Sequence, residues 1–443
     1  MAFVAGIDFG TTNSSAAISN GGTPKMVSLE QSFDTIPTAL YFPNNKPGVY
    51  YGRDAMARAI DNESIAGYND KEEDNGRFMR SIKRALGTNL MTSGTLVKGK
   101  MLTFDKIILY FMRHLKEKID MAANESVESV VVGRPVHFVD NDLSADQRAQ
   151  DELKKIATDA GFKNIEFQYE PIAAAFAHER TLNEEQLAAV IDIGGGTSDF
   201  TIIKLGGDLK NKFDRTDDIL ANSGTRIGGN DFDKNLALAE FMPEFGKGTL
   251  YGGRTKYDPV LTVPVGHFHD LSDWGRVNLL YTYKNINNIK KCLWQAHDKE
   301  RYGGLLEVIE KQLGHKVLSS VEKTKIHLTN NDVADVVLDF LLDSPKFTVQ
   351  RTKLEESISP LITKISGIAN DCVTMAGIKP SDVRLVVLTG GSTEVPYVRD
   401  VLCNLFQNAK ISAENKLASV GLGLTYDAMR KFKTRQFFQE RKR

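Results

Sequence analysis

At 443 residues the chain exceeds one hydrophobic core and calls for two to four domains or subdomains. Its 56 basic residues nearly balance 57 acidic ones, which excludes a global field for nucleic acid or an anionic membrane. Three scattered cysteines (Cys292, Cys372, Cys403), no basic signal-peptide start and no apolar run near the ~18–20 residues of a membrane span lead us to expect a soluble, cytoplasmic protein.

In chain order, Phe3–Asp8 and Ser14–Ile18 read as a hairpin, and Lys25–Leu29 and Ala39–Phe42 as further strands. Gly52–Ile60 and Phe78–Leu86 read as short helices. Phe104–Asn124 is a long amphipathic helix, with Ile107, Ile108, Phe111, Leu115 and Ile119 at 3–4 spacing. It feeds Ser129–Gly133, a continuous apolar strand of the buried parallel type. Helices follow at Ala145–Ala160 and Glu170–His178. The second half repeats the plan with the strand Leu187–Asp192, a return strand Phe200–Leu205, and Ile219–Ser223 leading to Gly228–Asp233 and a helix. The long helix Leu354–Met375 then feeds the strand Arg384–Leu388 and Thr389-Gly390-Gly391-Ser392. An internal duplication with a cleft between the halves accounts for the repeat. Between Glu244 and Leu318 the pattern loosens, and an inserted subdomain is expected there.

Two segments carry the chemistry. Ala5-Gly6-Ile7-Asp8-Phe9-Gly10-Thr11-Thr12-Asn13-Ser14 and Val190-Ile191-Asp192-Ile193-Gly194-Gly195-Gly196-Thr197-Ser198-Asp199 each run an apolar strand into an aspartate and a tight glycine-threonine turn. Successive backbone N–H groups in such a turn form an anion-binding concavity, and glycine lets the backbone approach closely. Hydroxyls of Thr11, Thr12 and Thr197 add donors for phosphate oxygens. The carboxylates Asp8, Asp192 and Asp199 would repel phosphate unless a cation sat between, and Mg²⁺ keeps most of its waters while taking few protein carboxylates. Neither G-x-x-x-x-G-K-S/T nor a strand-helix G-x-G-x-x-G occurs, so the chain is no P-loop or dinucleotide-fingerprint protein.

Gly6–Ser14, Asp192–Asp199 and Gly228–Asp233 together resemble the phosphate loops of the DnaK-type (seventy-kilodalton class) heat-shock chaperones, within the actin/sugar-kinase ATPase superfamily. Ser81-Ile82-Lys83-Arg84 resembles that family's catalytic-lysine segment, and Glu170-Pro171-Ile172-Ala173-Ala174-Ala175 its E-P-T-A-A-A connection. Glu322, Lys325 and Thr329, with Gly390-Gly391-Ser392-Thr393, resemble its adenosine-binding edges. Asp199 and the Ile-Lys-Arg segment favour the chaperone branch over actin-like filament proteins.

The resemblance implies an α/β, duplicated ribonuclease H-like fold: two lobes around a nucleotide cleft, each with a smaller inserted subdomain. Lobe I would span 1–185 with an insert at about 39–103 and a return to the core at about 104–185. Lobe II would span 186–411 with an enlarged insert at about 225–351. Residues 412–443 would supply a helix crossing back to lobe I and a basic tail.

The implied ligands are ATP or ADP with Mg²⁺. Lys83 would reach the γ-phosphate and hold the attacking water, Thr197 and Asp199 would orient it, and Glu170 would sense metal and nucleotide. Asp8 and Asp192 would hold the metal through water. Gly10, Thr11, Thr12, Asn13, Gly195, Gly196, Gly228, Gly229, Glu322, Lys325, Thr329, Gly390, Gly391 and Ser392 would bind ATP, and Pro135 and Arg148 would couple the lobes. Departures are Ile326 and Glu394, where many members sandwich adenine between arginines, and Asn415-Lys416, where an acidic pair is common. A Leu-Leu-Leu-Asp linker and peptide-binding sandwich are not expected, as in the stand-alone, truncated relatives of YegD type. The expected activity is slow ATP hydrolysis by a chaperone-like protein serving a separate protein partner, with no nucleic acid or membrane. A nucleotide-responsive scaffold with little turnover, or a small-molecule kinase of the same fold, are the alternatives.

Overall fold

The computed structural model describes residues 2–44, 46–61, 76–212, 214–253, 255, 257–412 and 418–440. Two five-strand paths share one strand order. In the first, Val4–Asp8 pairs antiparallel with Asn13–Ser19, which pairs with Lys25–Met26; on its other side Val4–Asp8 runs parallel to Ser129–Arg134, then Asn164–Tyr169. In the second, Gln186–Ile193 pairs antiparallel with Ser198–Leu205, which pairs with Ile219–Thr225. On its other side it runs parallel to Leu385–Thr389, then Lys410–Ser412. The duplication expected from the sequence is therefore present strand for strand.

Burial explains why these segments take these forms. Val130, Val131 and Val132 are each fully buried, as a strand covered on both faces demands. The helix Phe104–Ala123 buries Ile107, Ile108, Phe111, Leu115 and Ile119 along one stripe. Its counterpart Arg351–Met375 buries Leu354, Ile358, Ile362 and Ile365. Between the two sheets lies Glu170–Glu179, whose Ala173, Ala174 and Ala175 share a core with Val131, Val190 and Val387. The helix Ser419–Glu440 returns to pack on it and on Val4–Asp8. A Cβ at Gly423 would stand 1.7 Å from the carbonyl oxygen of Ala173, so this close crossing needs glycine.

Two readings change, and a stretch without assigned elements gains them. The segment expected as a helix over Phe78–Leu86 is instead a strand, Arg77–Arg80, paired with Ala39–Phe42, followed by the single 3-10 turn Ile82–Ala85. Ser81, at φ 58°, separates the two and stops any helix from starting earlier. The strand expected at Lys25–Leu29 ends at Met26, because the chain folds back on itself between Glu30 and Phe33. The loose stretch from Glu244 to Leu318 is largely helical: Gly266–Leu271, Tyr283–Gln295, Lys299–Glu310 and the start of Gly314–Asn330. Phe268, Leu271, Val277, Leu280 and Tyr302 bury there in the larger core, which asparagines and glycines in the same segments disguise in the sequence. The Asn415-Lys416 pair and the tail beyond Glu440 lie outside the described residues.

Candidate functional site

Both central strands run into their turns with an aspartate at the mouth. Asp8 pairs with Ser15 across one hairpin, and Asp192 with Asp199 across the other. Thr38 clamps the first turn: its hydroxyl donates to the Gly10 carbonyl at 2.8 Å and its N–H to the Thr12 carbonyl at 2.8 Å. The second turn is closed by the Gly194 N–H donating to the Thr197 carbonyl at 3.0 Å.

The turns face each other almost in contact. A Cβ at Gly195 would fall 1.6 Å from Thr12 Oγ1, and one at Gly196 2.5 Å from Thr11 Oγ1, so bare backbone is what fits. The helix Gly229–Leu236 docks against the second turn, with Gly229 N–H donating to Gly194 O at 2.9 Å and Asn230 N–H to Gly195 O at 2.8 Å. The Ser392 hydroxyl donates to the same Gly194 carbonyl at 3.0 Å, tying in the loop after Leu385–Thr389.

Between the turns opens a cavity of about 490 Å³. Asp8, Gly10, Thr11, Thr12, Asn13, Lys83, Glu170, Asp192, Gly195, Gly196, Thr197 and Gly229 border it. So do Glu322, Lys325, Thr329, Gly390, Gly391 and Ser392, which come from a distant helix and loop. Ile326 and Glu394 stand on the same wall. Asp199, Gly228, Pro135 and Arg148 do not border the cavity. Asp199 is buried beside it and accepts a 2.7 Å hydrogen bond from the N–H of Val136, next to Pro135, so it bridges the two lobes. Gly228 backs the second turn: a Cβ there would lie 2.6 Å from the Gly196 nitrogen. Arg148 donates to the Gly87 carbonyl at 2.9 Å.

The cavity floor concentrates negative charge around one cation. Lys83 Nζ meets Glu170 Oε1 at 2.5 Å, and both side chains are buried. Burial pushes the Asp8 carboxyl up to about 7, helped by Glu170 and opposed by Lys83. Asp192 is raised well above the carboxylate range by burial, then by Glu170, Asp199 and Asp8. Asp199 also rises to about 7, through burial and Glu170, against the pull of the Val136 N–H, the Thr197 hydroxyl and Lys83. Asp199 Oδ2 and Thr12 Oγ1 are buried without a hydrogen-bond partner. Crowded carboxylates and orphaned oxygens suit a hydrated divalent cation that neutralises them. Among the described residues no three His, Cys, Asp or Glu side chains converge closely enough to hold a metal directly.

Further from the floor, two ion pairs hold the outer wall. Arg80 grips Glu322 with two bonds of 2.6 and 2.8 Å and lies 4.5 Å over the Trp274 ring. Burial opposes ionisation of Glu322, but Arg80 holds its carboxyl below the usual range. Lys325 pairs with buried Asp233 at 2.7 Å. Sequence reasoning missed Arg80, which holds the wall residue Glu322, and missed Asn230, whose amide donates to Ser81 Oγ at 2.8 Å across the lobes. Asn230 follows Gly228-Gly229 directly, which was the available signal. For Arg80 the sequence carried no comparable signal, since Arg77-Phe78-Met79-Arg80 is too short to show a period.

Comparison with known proteins extends the picture. The chain matches the Hsp70 protein family over residues 4–252 and 296–428, leaving residues 253–295 unmatched. It is 26% identical over 444 residues to a chaperone protein dnaK of Cyanidioschyzon merolae, a likeness spanning 97% of this chain and 62% of that protein.

Proposed function

This chain belongs to the Hsp70 protein family and carries its two-lobed, actin-like ATPase fold, and from that premise we propose that it binds ATP and ADP with Mg²⁺ and hydrolyses ATP slowly. The observation that carries this reading is the pair of glycine-threonine turns, one per lobe, meeting over buried acidic side chains with Lys83 as their cation. A ligand touching both turns binds the closed lobes better than separated ones, and that difference in affinity is what closure requires.

In this reading Gly10–Asn13 and Gly195–Thr197 cradle the phosphates, and Asp8 and Asp192 would hold a hydrated magnesium ion. When bound, that ion supplies charge neutralisation between the carboxylates and the phosphate chain. Lys83 exchanges its bond with Glu170 for the terminal phosphate and an attacking water. Thr197 and Asp199 orient that water, with Asp199 fixed by its bond to Val136. Positioning and charge neutralisation are most of what phosphoryl transfer asks of a protein. Glu170, released from Lys83, reports the occupied state, and Pro135 and Arg148 carry it outward. Glu322, Lys325, Thr329, Gly390, Gly391 and Ser392 edge the nucleoside, backed by Gly228 and Gly229. Lobe I at 1–185, lobe II at 186–411 and the segment 412–443, with its crossing helix Ser419–Glu440, form the frame of this reading. The output is a chaperone-type interaction with a separate protein.

A second reading, a nucleotide-responsive scaffold with little turnover, is favoured by Ile326 and Glu394 on the wall where cation planes would stack on a base. Titration calorimetry with Mg·ATP, followed by single-turnover hydrolysis of γ-labelled ATP, tests both. Absence of binding heat defeats the proposal. Binding with the γ-phosphate retained for hours selects the scaffold.

A further inference from the structure

A second cavity, of about 510 Å³, lies between the two inserts rather than between the phosphate turns. Arg58, Arg77 and Lys98 line it from lobe I's side, and Lys311, His315 and Lys316 from the other. Among the described residues no carboxylate borders it. Lys311 is paired with Glu307 at the rim, and Lys98 reaches a backbone carbonyl, that of Lys46. Arg77 Nε is buried with no acceptor. His315 is only 8% exposed, and both of its ring nitrogens lack partners. Burial and the nearby Arg77 and Arg80 push its imidazole down to about 3, so it faces the cavity as a neutral donor and acceptor.

Cations gathered from two elements across a cleft repel each other, and a shaped concavity focuses that potential on a counter-ion. Arginine and lysine in such a setting match phosphate oxygens, arginine in a planar fork. Asn278 and Tyr281 complete the wall, and both come from the stretch 253–295 that the family match leaves out. Part of this pocket therefore comes from outside the stretches that match the family.

It also shares its supports with the first cavity. Arg77 and Lys83 sit on one short segment, and His315 and Glu322 on one helix, Gly314–Asn330. Phe78 packs edge-on against His315, which stacks on Trp274 beneath Arg80, and Arg80 grips Glu322.

We propose that the pocket between the inserts is a second anion site, taking a small oligophosphate, and that its occupant ties the inserts together and strengthens binding in the nucleotide cleft. The binding half stands independently of the nucleotide reading. The coupling half rests on it and is reciprocal: each ligand must raise the other's affinity by one common factor.

The test is calorimetric titration of the full chain with inorganic tripolyphosphate in excess magnesium, with and without saturating Mg·ADP. The expected result is one tripolyphosphate per chain in the presence of Mg·ADP. Arg77→Gln or Lys316→Gln should weaken it about tenfold each. A rim variant, Lys98→Glu with Lys311→Glu, should weaken it without touching the buried strand. All three should keep wild-type Mg·ADP affinity in the absence of tripolyphosphate. Loss of binding once Mg·ADP is saturating would mean the anion sat in the cleft, and overturns the second site. Unchanged affinity in the variants, or no heat at all, does the same. If Mg·ADP does not bind, the nucleotide reading falls, and the apo titration with Arg77→Gln still decides the anion site.

Discussion

Replacing Lys83 by alanine removes the cation that faces Asp8, Glu170, Asp192 and Asp199. The bond lost is the 2.5 Å contact to Glu170, with both partners buried. Breaking a buried pair on one side costs about 3–5 kcal/mol, chiefly because the remaining charge is stranded. Here the strand of charge has an escape, since Asp8 and Asp199 already stand at about 7 and take up protons readily. The destabilisation should therefore be larger at pH 8 than at pH 6. Its effect on chemistry is separate. Loss of a group aimed at developing charge on the transferring phosphate should lower hydrolysis about 10²–10³-fold, while the turns and nucleoside edges keep Mg·ATP bound. Single-turnover hydrolysis beside calorimetry separates the two effects. Lys83→Met, which keeps the volume of the chain, guards against a folding artefact. Turnover within threefold of wild type in either variant (order of magnitude set by one lost contact) would refute the role given to Lys83.

Asp8 and Asp199 rise to about 7 from an unfolded value near 3.8, so the folded state holds them protonated. Their stabilisation is full below about 4 and is lost as pH climbs through 7, so the nucleotide-free protein should melt lower at pH 8.5 than at pH 5.5, on the linkage rule for roughly raised acids. A melting temperature that rises over that range contradicts the crowded floor, and the Mg·ATP increment should grow as protons leave. Gly195→Ala puts a methyl 1.6 Å from Thr12 Oγ1, so it should separate the turns and abolish measurable Mg·ATP binding with little loss of secondary structure by circular dichroism. Wild-type affinity would show that the turns do not jointly hold the ligand. Ile326→Arg restores a cation plane on an exposed wall position, 58% accessible. It should tighten ADP about fivefold, the worth of roughly 1 kcal/mol of stacking, as read by calorimetry; unchanged or weaker binding would move the base elsewhere.

Much of this molecule was legible because it is local. An apolar strand, an aspartate and a glycine-threonine turn lie within ten residues, and the return strand that pairs across each hairpin follows directly in the chain. The long helices Phe104–Ala123 and Arg351–Met375 announce themselves by a stripe at 3–4 spacing, since a helix covering a sheet must bury one face. The repeat of hairpin, helix and parallel strand then leaves little choice of topology. The misread segment, Arg77–Arg80, is instructive. Four residues carry too little periodicity to separate strand from helix, and its partner Ala39–Phe42 lies far back in the chain.

What only the tertiary structure decided are the pairings between segments far apart in the chain. Lys83 finds Glu170 across 87 positions and Arg80 finds Glu322 across 242, while the basic cavity draws on segments from both inserts. Backbone hydrogen bonding and side-chain period are properties of neighbours in sequence, and the residues themselves state them. Which charges are stripped of water, and which opposite charge then reaches them, depends on how the two halves of the chain close on each other. That closure is set by burial summed over the whole interface rather than by any one stretch of chain.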